Sequence, residues 1–541
     1  MSKQFFHSAH VDTFAFEQLP PPEQWPDLLF DLPELQYPER LNCASAFLED
    51  IAVKGFADKV AIRSATTVWT YAELCAKVNQ IAHVLVDDMR LVPGNRVLLR
   101  GANNPMMAAC ILAVWKLGCV AVPTMPLLRA KELSVIIDKA QISAALCSSA
   151  LQEELQLAQQ LSPVLQQINI FNSDATGSVE QLMSSKSAIF EAINTHAEDV
   201  CLISFTSGTT GKPKGTMHFH RDVLAICDCF PRSILQSQAS DTFIGTPPLA
   251  FTFGLGGLLL FPLRVGATTV LLEKLTPETL LKAIDDYQAT ICFTAPTFYR
   301  QMLPMVPNFS LKSLQKTVSA GETLPAATRE AWQAATGLIM IDGIGATEML
   351  HIFISASGDQ ARSGATGKAI PGYQACVLDE NGNPAPIGVT GRLAVKGPTG
   401  CRYLADDRQK NYVLNGWNLT GDAYEMDADA YFHYRARTDD MIITAGYNVA
   451  GPEVEEIILK HPAVAECAVV GLPDEERGQI VKAFIVLRDV SQASEELVKE
   501  IQSFVKANVA PYKYPRCIEF KDALPRTETG KVQRFKLKLT N

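Results

Sequence analysis

From about residue 46 onward, short apolar runs rich in β-branched residues alternate with helical segments. "RVLLRG" reads as a strand, "MMAACILAVWKLG" as a buried helix closed by a glycine C-cap, and "CVAVPTM" as the next strand. The pattern returns at "ISAALCSS", "VCLISF", "TFIGTPP", "ATTVLL" and "ATICFTAP". Repeated β-α-β spacing predicts an α/β fold of parallel sheets with covering helices. Ligands of such sheets sit in loops at the carboxyl ends of strands.

The flanks have a different texture. Residues 1 to about 45 are Pro-rich and irregular, which predicts an arm that wraps the body. After about residue 375, "ACVLDENGNPAPIGVTGRLAVKG" reads as strand, turn, strand, with Asn381-Gly382 as the turn signal. This predicts a β-rich subdomain over about 375–437, inside an N-terminal domain of residues 1–437. Residues 438–541 predict a separate small α+β domain, joined near Arg437–Asp440. In it "GPEVEEIILKH" and "EELVKEIQSFVKANV" read as helices, "AVAECAVVGL" and "VKAFIVL" as strands.

Composition excludes some functions. The chain has 541 residues, 48 Lys plus Arg against 58 Asp plus Glu, and a net charge of −10. That balance argues against nucleic-acid or acidic-membrane partners. The longest apolar run, "GLGGLLLFPL", is too short to span a bilayer, and the first residues lack a signal-peptide core. A cytoplasmic protein is expected. Its 13 scattered Cys read as free thiols. A metal site at Cys227 and Cys229 would need His218 and His220 as further ligands.

The segment "SFTSGTTGKPKG", Ser204 to Gly215, begins in the last two residues of the strand "VCLISF" and continues as a glycine-rich loop. It combines glycines, five hydroxyl side chains and two lysines. Backbone N–H groups there can cradle phosphate oxygens, with Thr206, Ser207, Thr209 and Thr210 as further donors and Lys212 or Lys214 supplying charge. A surface turn would explain the glycines but not both lysines beside a buried strand. The nucleoside-triphosphatase P-loop does not fit, because only two residues separate Gly208 from Gly211 and Pro213 follows Lys212. "GIGATE", Gly343 to Glu348, lacks the third glycine of a dinucleotide fingerprint.

The glycine-rich segment resembles the phosphate loop of the adenylate-forming enzymes, which include acyl- and aryl-CoA ligases, adenylation domains and firefly-type luciferases. The resemblance runs from "WTYAEL" to "PRTETGKVQRFKL". "TMPLLRAKEL", "DGIGATEMLHIF", "YFHYRARTDDMI" and "APYKYPR" are most similar to benzoate-type and 2-aminobenzoate-type CoA ligases. The resemblance implies a two-step reaction: a carboxylate attacks the α-phosphorus of ATP, releasing pyrophosphate, and a thiolate then displaces AMP from the acyl-adenylate.

It also implies roles. Thr206, Ser207, Gly208, Thr209, Thr210 and Lys214 would hold phosphates. Glu348 would bind Mg²⁺ and Thr347 would meet the α-phosphate. Asp422 and Arg437 would take the ribose, and Gly321, Glu322 and Asp342 would wall the adenine. Ile344 stands where relatives often stack an aromatic residue. Lys531 would bridge the two reacting anions as the catalytic lysine. Asp439 would be the hinge for a swing of the C-terminal domain, after which Gly446 would line the pantetheine tunnel. Lys513 and Arg516 would meet CoA phosphates.

Phe251, Phe253, Ala320, Gly343, Gly345 and His351 would form the acyl pocket. Two Phe and flat glycine walls favour a planar aromatic acid. The order of preference is 2-aminobenzoate, benzoate, then a hydroxybenzoate. His351 would bond a ring substituent or simply pack beside the adenine site. Two alternatives stay open: loading of a carrier-protein phosphopantetheine arm instead of CoA, and a non-enzymatic nucleotide-binding protein. A homodimer is compatible with either.

Overall fold

The computed structural model describes residues 8–206, 213–438, 440–444, 447–474, 477–508, 512–526 and 531–539. Two sheets carry the α/β region. The first has six strands in the order Gln167–Phe171, Ala144–Ser148, Arg96–Arg100, Val120–Thr124, Val200–Thr206 and Lys214–Phe219. All its pairs are parallel except the last. The second has nine strands, and five of its adjacent pairs, from Ile341–Gly345 across to Val60–Arg63, are parallel. Antiparallel strands finish both of its edges.

The helix Pro105–Lys116 is buried along its whole length, as its continuous apolar sequence requires. Asn104 caps it through a bond from Met107 N, Pro105 stands in its first turn, and Gly118 ends it at φ +72. Lys116 is fully buried at its end, where its ammonium meets Glu49 and Asn79.

A five-stranded antiparallel sheet follows, built on Gln374–Leu378, Gly391–Lys396, Val413–Leu414, Trp417–Met426 and Phe432–Arg437. The Asn381-Gly382 turn exists, with Gly382 at φ +85, but it only returns the chain to a bridge between Leu378 and Pro384. The partner strand starts at Gly391, so the turn lies within a longer connection and does not set the sheet register. The arm does wrap the body: Leu29 N donates to Gly397 O at 2.9 Å, and the Trp25 ring lies 5.9 Å from Phe219.

The C-terminal domain has a three-stranded sheet of Val464–Asp474, Gly478–Leu487 and Cys517–Phe520. The helices Gly451–Ile458 and Glu495–Asn508 share its core, burying Val454, Ile458, Leu497, Ile501 and Val505. Among the described residues no helix is long and apolar enough to cross a membrane.

Candidate active site

The phosphate-loop segment leaves one strand and enters another. Thr206 ends the first and Lys214 begins the second, and the two are paired across the ladder. Ser207, Gly208, Thr209 and Thr210 lie outside the described residues. Side chains alternate along a strand, so Lys214, Thr216 and His218 share one face of Lys214–Phe219. Lys214 Nζ donates to Tyr403 Oη at 2.8 Å and stands 3.5 Å from Glu348 Oε1. It also lies over the rings of Tyr403 and Tyr412, 4.8 and 5.9 Å from their centroids. The Tyr403 hydroxyl donates to Glu348. Burial, reinforced by the charge of Glu348, pushes the Tyr403 phenol far up, so it stays a proton donor.

Glu348 and Thr347 are both buried, in a single 3-10 turn. Leu350 ends the turn with a left-handed φ of +68, uncommon for a branched side chain. The chain then enters the strand Ile352–Ala356, which pairs with Ile341–Gly345. Among the described residues only one oxygen of Glu348, Oε1, is engaged, by Tyr403 and Lys214. The other is the kind of hard ligand that Mg²⁺ takes beside phosphate oxygens and water.

Asp422 and Arg437 face each other across adjacent strands, with Nη1 of Arg437 donating to Oδ1 of Asp422 at 3.2 Å. Burial raises Asp422, and Arg437 opposes that shift. Gly321 is exposed at φ +89 beside Glu322, whose Oε2 accepts from Thr297 N and Oγ1 at 3.2 and 2.6 Å. Burial pushes Asp342 up to about 7, although Arg329 stands 3.9 Å away and pulls the other way. Ile344 packs half-buried against the core.

Lys531 comes from the other end of the chain into the same place. Its ammonium lies 5.7 Å from the Phe251 ring centroid. The residue as a whole is exposed, while its ammonium lies among protein groups. That burial lowers the ammonium from its ordinary value; Asp422, Glu322 and Glu348 act to raise it and Arg437 to lower it. Four segments far apart in sequence therefore converge on one cation.

On the acyl side, Phe253 is buried with its ring 5.4 Å from Phe293 and 5.8 Å from His351. His351 is also ringed by Phe230 and Phe261, at 5.8 and 4.5 Å. Neither ring nitrogen makes a hydrogen bond of good geometry, and burial lowers this imidazole to about 3. Ala320 is buried near the end of a parallel strand. A Cβ on Gly343 would meet the Ile352 side chain at 2.9 Å, and one on Gly345 the His351 backbone at 2.8 Å.

Sequence reasoning missed the glycines that seat the aromatic cluster. Gly256–Leu260 is a π-helical turn inside the apolar run. A Cβ on Gly256 would lie 2.4 Å from His351 Cδ2, and one on Gly257 2.5 Å from Phe293 Cδ1. Sequence reasoning also missed Tyr403 and Tyr412, which no motif marks.

Asp439 and Gly446 lie outside the described residues. Lys513 is paired with Glu453 at 2.6 Å, and Arg516 packs its guanidinium 5.1 Å from the Tyr514 ring. The Cys227/Cys229 metal arrangement does not form. Cys227 donates to Val223 O, His218 meets Thr347 O, and His220 Nδ1 lies 3.1 Å from the Cys43 thiol. Among the described residues Cys43, Cys201 and His220 do cluster. Nδ1 of His220 already accepts the Cys43 N–H at 3.2 Å, which commits its lone pair.

The sequence family described as AMP-binding enzyme matches residues 49–403, and the AMP-binding enzyme C-terminal domain matches residues 453–531. The chain belongs to the AMP-binding enzyme family. This AMP-binding enzyme is 35% identical to benzoate–CoA ligase of Thauera aromatica over 512 residues, 94% of this chain and 97% of the relative. It is similar to the anthranilate CoA ligase AuaEII, solved with anthranoyl-AMP, with a TM-score of 0.88 and 32% identity over 94% of this chain and 98% of that one. A benzoate CoA ligase from Burkholderia xenovorans LB400 gives a TM-score of 0.84 and 31% identity, covering 92% of this chain and 100% of that one. The AMP-binding enzyme is accordingly an adenylate-forming acid–CoA ligase that uses ATP and CoA and releases AMP.

Proposed function

We propose that this enzyme is an aryl-CoA ligase, with 2-aminobenzoate or benzoate as its acid. The observation that carries the reading is the position of Lys531, its ammonium beside the Phe251 ring and within the fields of Asp422, Glu322 and Glu348. In the first step an acid carboxylate lies against Phe251 and ATP lies along Asp422, Asp342 and Lys214. One carboxylate oxygen attacks the α-phosphorus, and the bond to pyrophosphate breaks. Two anions meet in that step, so a point charge where they touch lowers the barrier more than it stabilises the separate substrates. Lys531 supplies that charge. Mg²⁺, held by Glu348, would neutralise the phosphate oxygens. The Asp422–Arg437 pair takes the ribose hydroxyls, and Asp342 faces the adenine. CoA thiolate then attacks the acyl carbon and AMP leaves.

Support for an aromatic acid comes from the Phe251, Phe253 and Phe293 rings and the glycine walls at Gly343 and Gly345. His351 is a neutral imidazole whose nitrogens make no hydrogen bond of good geometry among the described residues, suited to a ring amine or hydroxyl. The test is pyrophosphate exchange into ATP with benzoate, 2-aminobenzoate and hydroxybenzoates, followed by thioester formation with CoA. Wild-type protein exchanges pyrophosphate with one of these acids. Lys531→Ala lowers that exchange by about a thousandfold, the scale of losing one well-placed charge stabiliser, and spares thioester formation from supplied acyl-adenylate. No exchange with any aromatic acid, or equal loss in both half-reactions, rejects the reading.

A further inference from the structure

The strand that leaves the phosphate loop touches the Thr347–Glu348 turn twice. Lys214, at its start, reaches Glu348. His218, four residues on and on the same face, reaches the backbone of Thr347, with Nε2 2.9 Å from the carbonyl oxygen. A carbonyl only accepts, so Nε2 carries the proton and donates. Behind His218 lies Asp222, whose Oδ2 is 3.8 Å from Nδ1. Asp222 caps its helix by accepting from Phe219 N at 3.0 Å and pairs with Arg402 Nη1 at 2.8 Å. The Arg402 guanidinium is stacked 4.0 Å from the Phe219 ring centroid. His218, Asp222 and Arg402 are all fully buried.

This network is an odd choice for stability alone. Among the described residues, Arg402 Nε and Nη2, Asp222 Oδ1, Thr216 Oγ1 and His218 Nδ1 have no hydrogen-bond partner. Each unpartnered buried polar group costs about 1–3 kcal/mol, and apolar replacements of similar volume often stabilise such sites. Something other than packing is needed to account for a charged, incompletely satisfied cluster. His218 reaches out of it to the Thr347 carbonyl, next to the carboxylate that would hold the metal.

We propose that His218 is a positioning residue for the ligase reaction, fixing the Thr347–Glu348 turn through the Thr347 carbonyl from a ring held by complete burial on the strand Lys214–Phe219. Strand Lys214–Phe219 then grips the turn at both residues. Placement of the Lys214 ammonium and of the metal carboxylate are then coupled, because the same strand touches both residues of the turn. The turn needs such support, since Leu350 leaves it in left-handed backbone.

This inference rests on the ligase reading, and its test separates the two. His218→Phe keeps an aromatic ring of similar size but removes the donor. His218→Gln restores an N–H at comparable reach. With benzoate or 2-aminobenzoate, His218→Phe lowers kcat for pyrophosphate-linked adenylation about tenfold or more. It raises the Mg²⁺ concentration giving half-maximal rate several-fold and leaves KM for the acid within about twofold. His218→Gln recovers most of both losses. Where His218→Phe does not fold, His218→Asn, too short to reach Thr347, carries the same expectation. An unchanged Mg²⁺ requirement in the donor-less variant, or a loss of rate that only follows a lower melting temperature, overturns the inference. A wild-type protein that exchanges no pyrophosphate sinks the ligase reading instead.

Discussion

Half-buried Asp342 and fully packed His351 are titratable groups that act on stability in opposite senses. Burial raises Asp342 from an ordinary 3.8 to about 7, so the folded state keeps its proton longer than the unfolded chain does. Stability from this group is present below about 4 and is lost as pH rises to about 7. Burial lowers His351 from 6.5 to about 3, so the folded state refuses a proton that the unfolded chain takes. That contribution is present above about 6.5 and is lost as pH falls to about 3. Asp342→Asn should therefore gain stability relative to wild type as pH rises from about 5 to about 7, at up to about 1.4 kcal/mol per pH unit. Denaturant unfolding at several pH values measures this, and a difference that does not vary with pH would remove Asp342 as the cause. Neither shift was legible in the sequence, because burial is a property of the packed fold. Glu348 and Lys531 were legible as candidates because each sits in a compact motif. Tyr403, which donates to Glu348, stands 55 positions away in unmarked sequence, and only the fold pairs them.

Strands and helices of the α/β region were readable from periodicity and caps, since buried parallel strands are short continuous apolar runs. The apolar run at Gly254–Leu263 gave no such guide: the same composition suits a strand or a buried helix. It folds as a helix with a π turn because Gly256 and Gly257 admit His351 and Phe293 against the backbone. On helix propensity alone, Gly256→Ala gains about 1 kcal/mol. Here the added methyl meets an imidazole at 2.4 Å that is itself locked by Phe230, Phe253 and Phe261. Overpacking of this kind costs about 1–3 kcal/mol, so the sign reverses. Gly256→Ala should unfold at lower denaturant and shift the relative rates for substituted benzoates. A variant as stable as wild type would mean that the ring yields freely and that the glycine has no steric role.

Across the whole molecule, the C-terminal domain meets the nucleotide side through alternating charges. Arg526 donates to Glu466 at 2.7 Å within its own domain and stands 3.7 Å from Glu322 of the N-terminal region. Glu466 in turn lies 3.7 Å from Arg300. All four side chains are partly exposed, so each pair alone is weak and is screened by salt. Weakness suits a contact that has to open once per turnover if the domain swings after adenylate formation. Glu322 also holds Thr297 near the expected adenine wall, so closure and nucleotide placement share one carboxylate. Arg526→Ala should slow adenylate formation about three- to tenfold, leave thioester formation from supplied acyl-adenylate unchanged, and abolish most of the salt dependence of the first step. Single-turnover measurements of each half-reaction, at low and high ionic strength, distinguish these effects. Equal slowing of both halves would mean that Arg526 supports the C-terminal domain itself rather than its docked position. A first step as sensitive to salt in the variant as in wild type would place the screened charges elsewhere in the cleft.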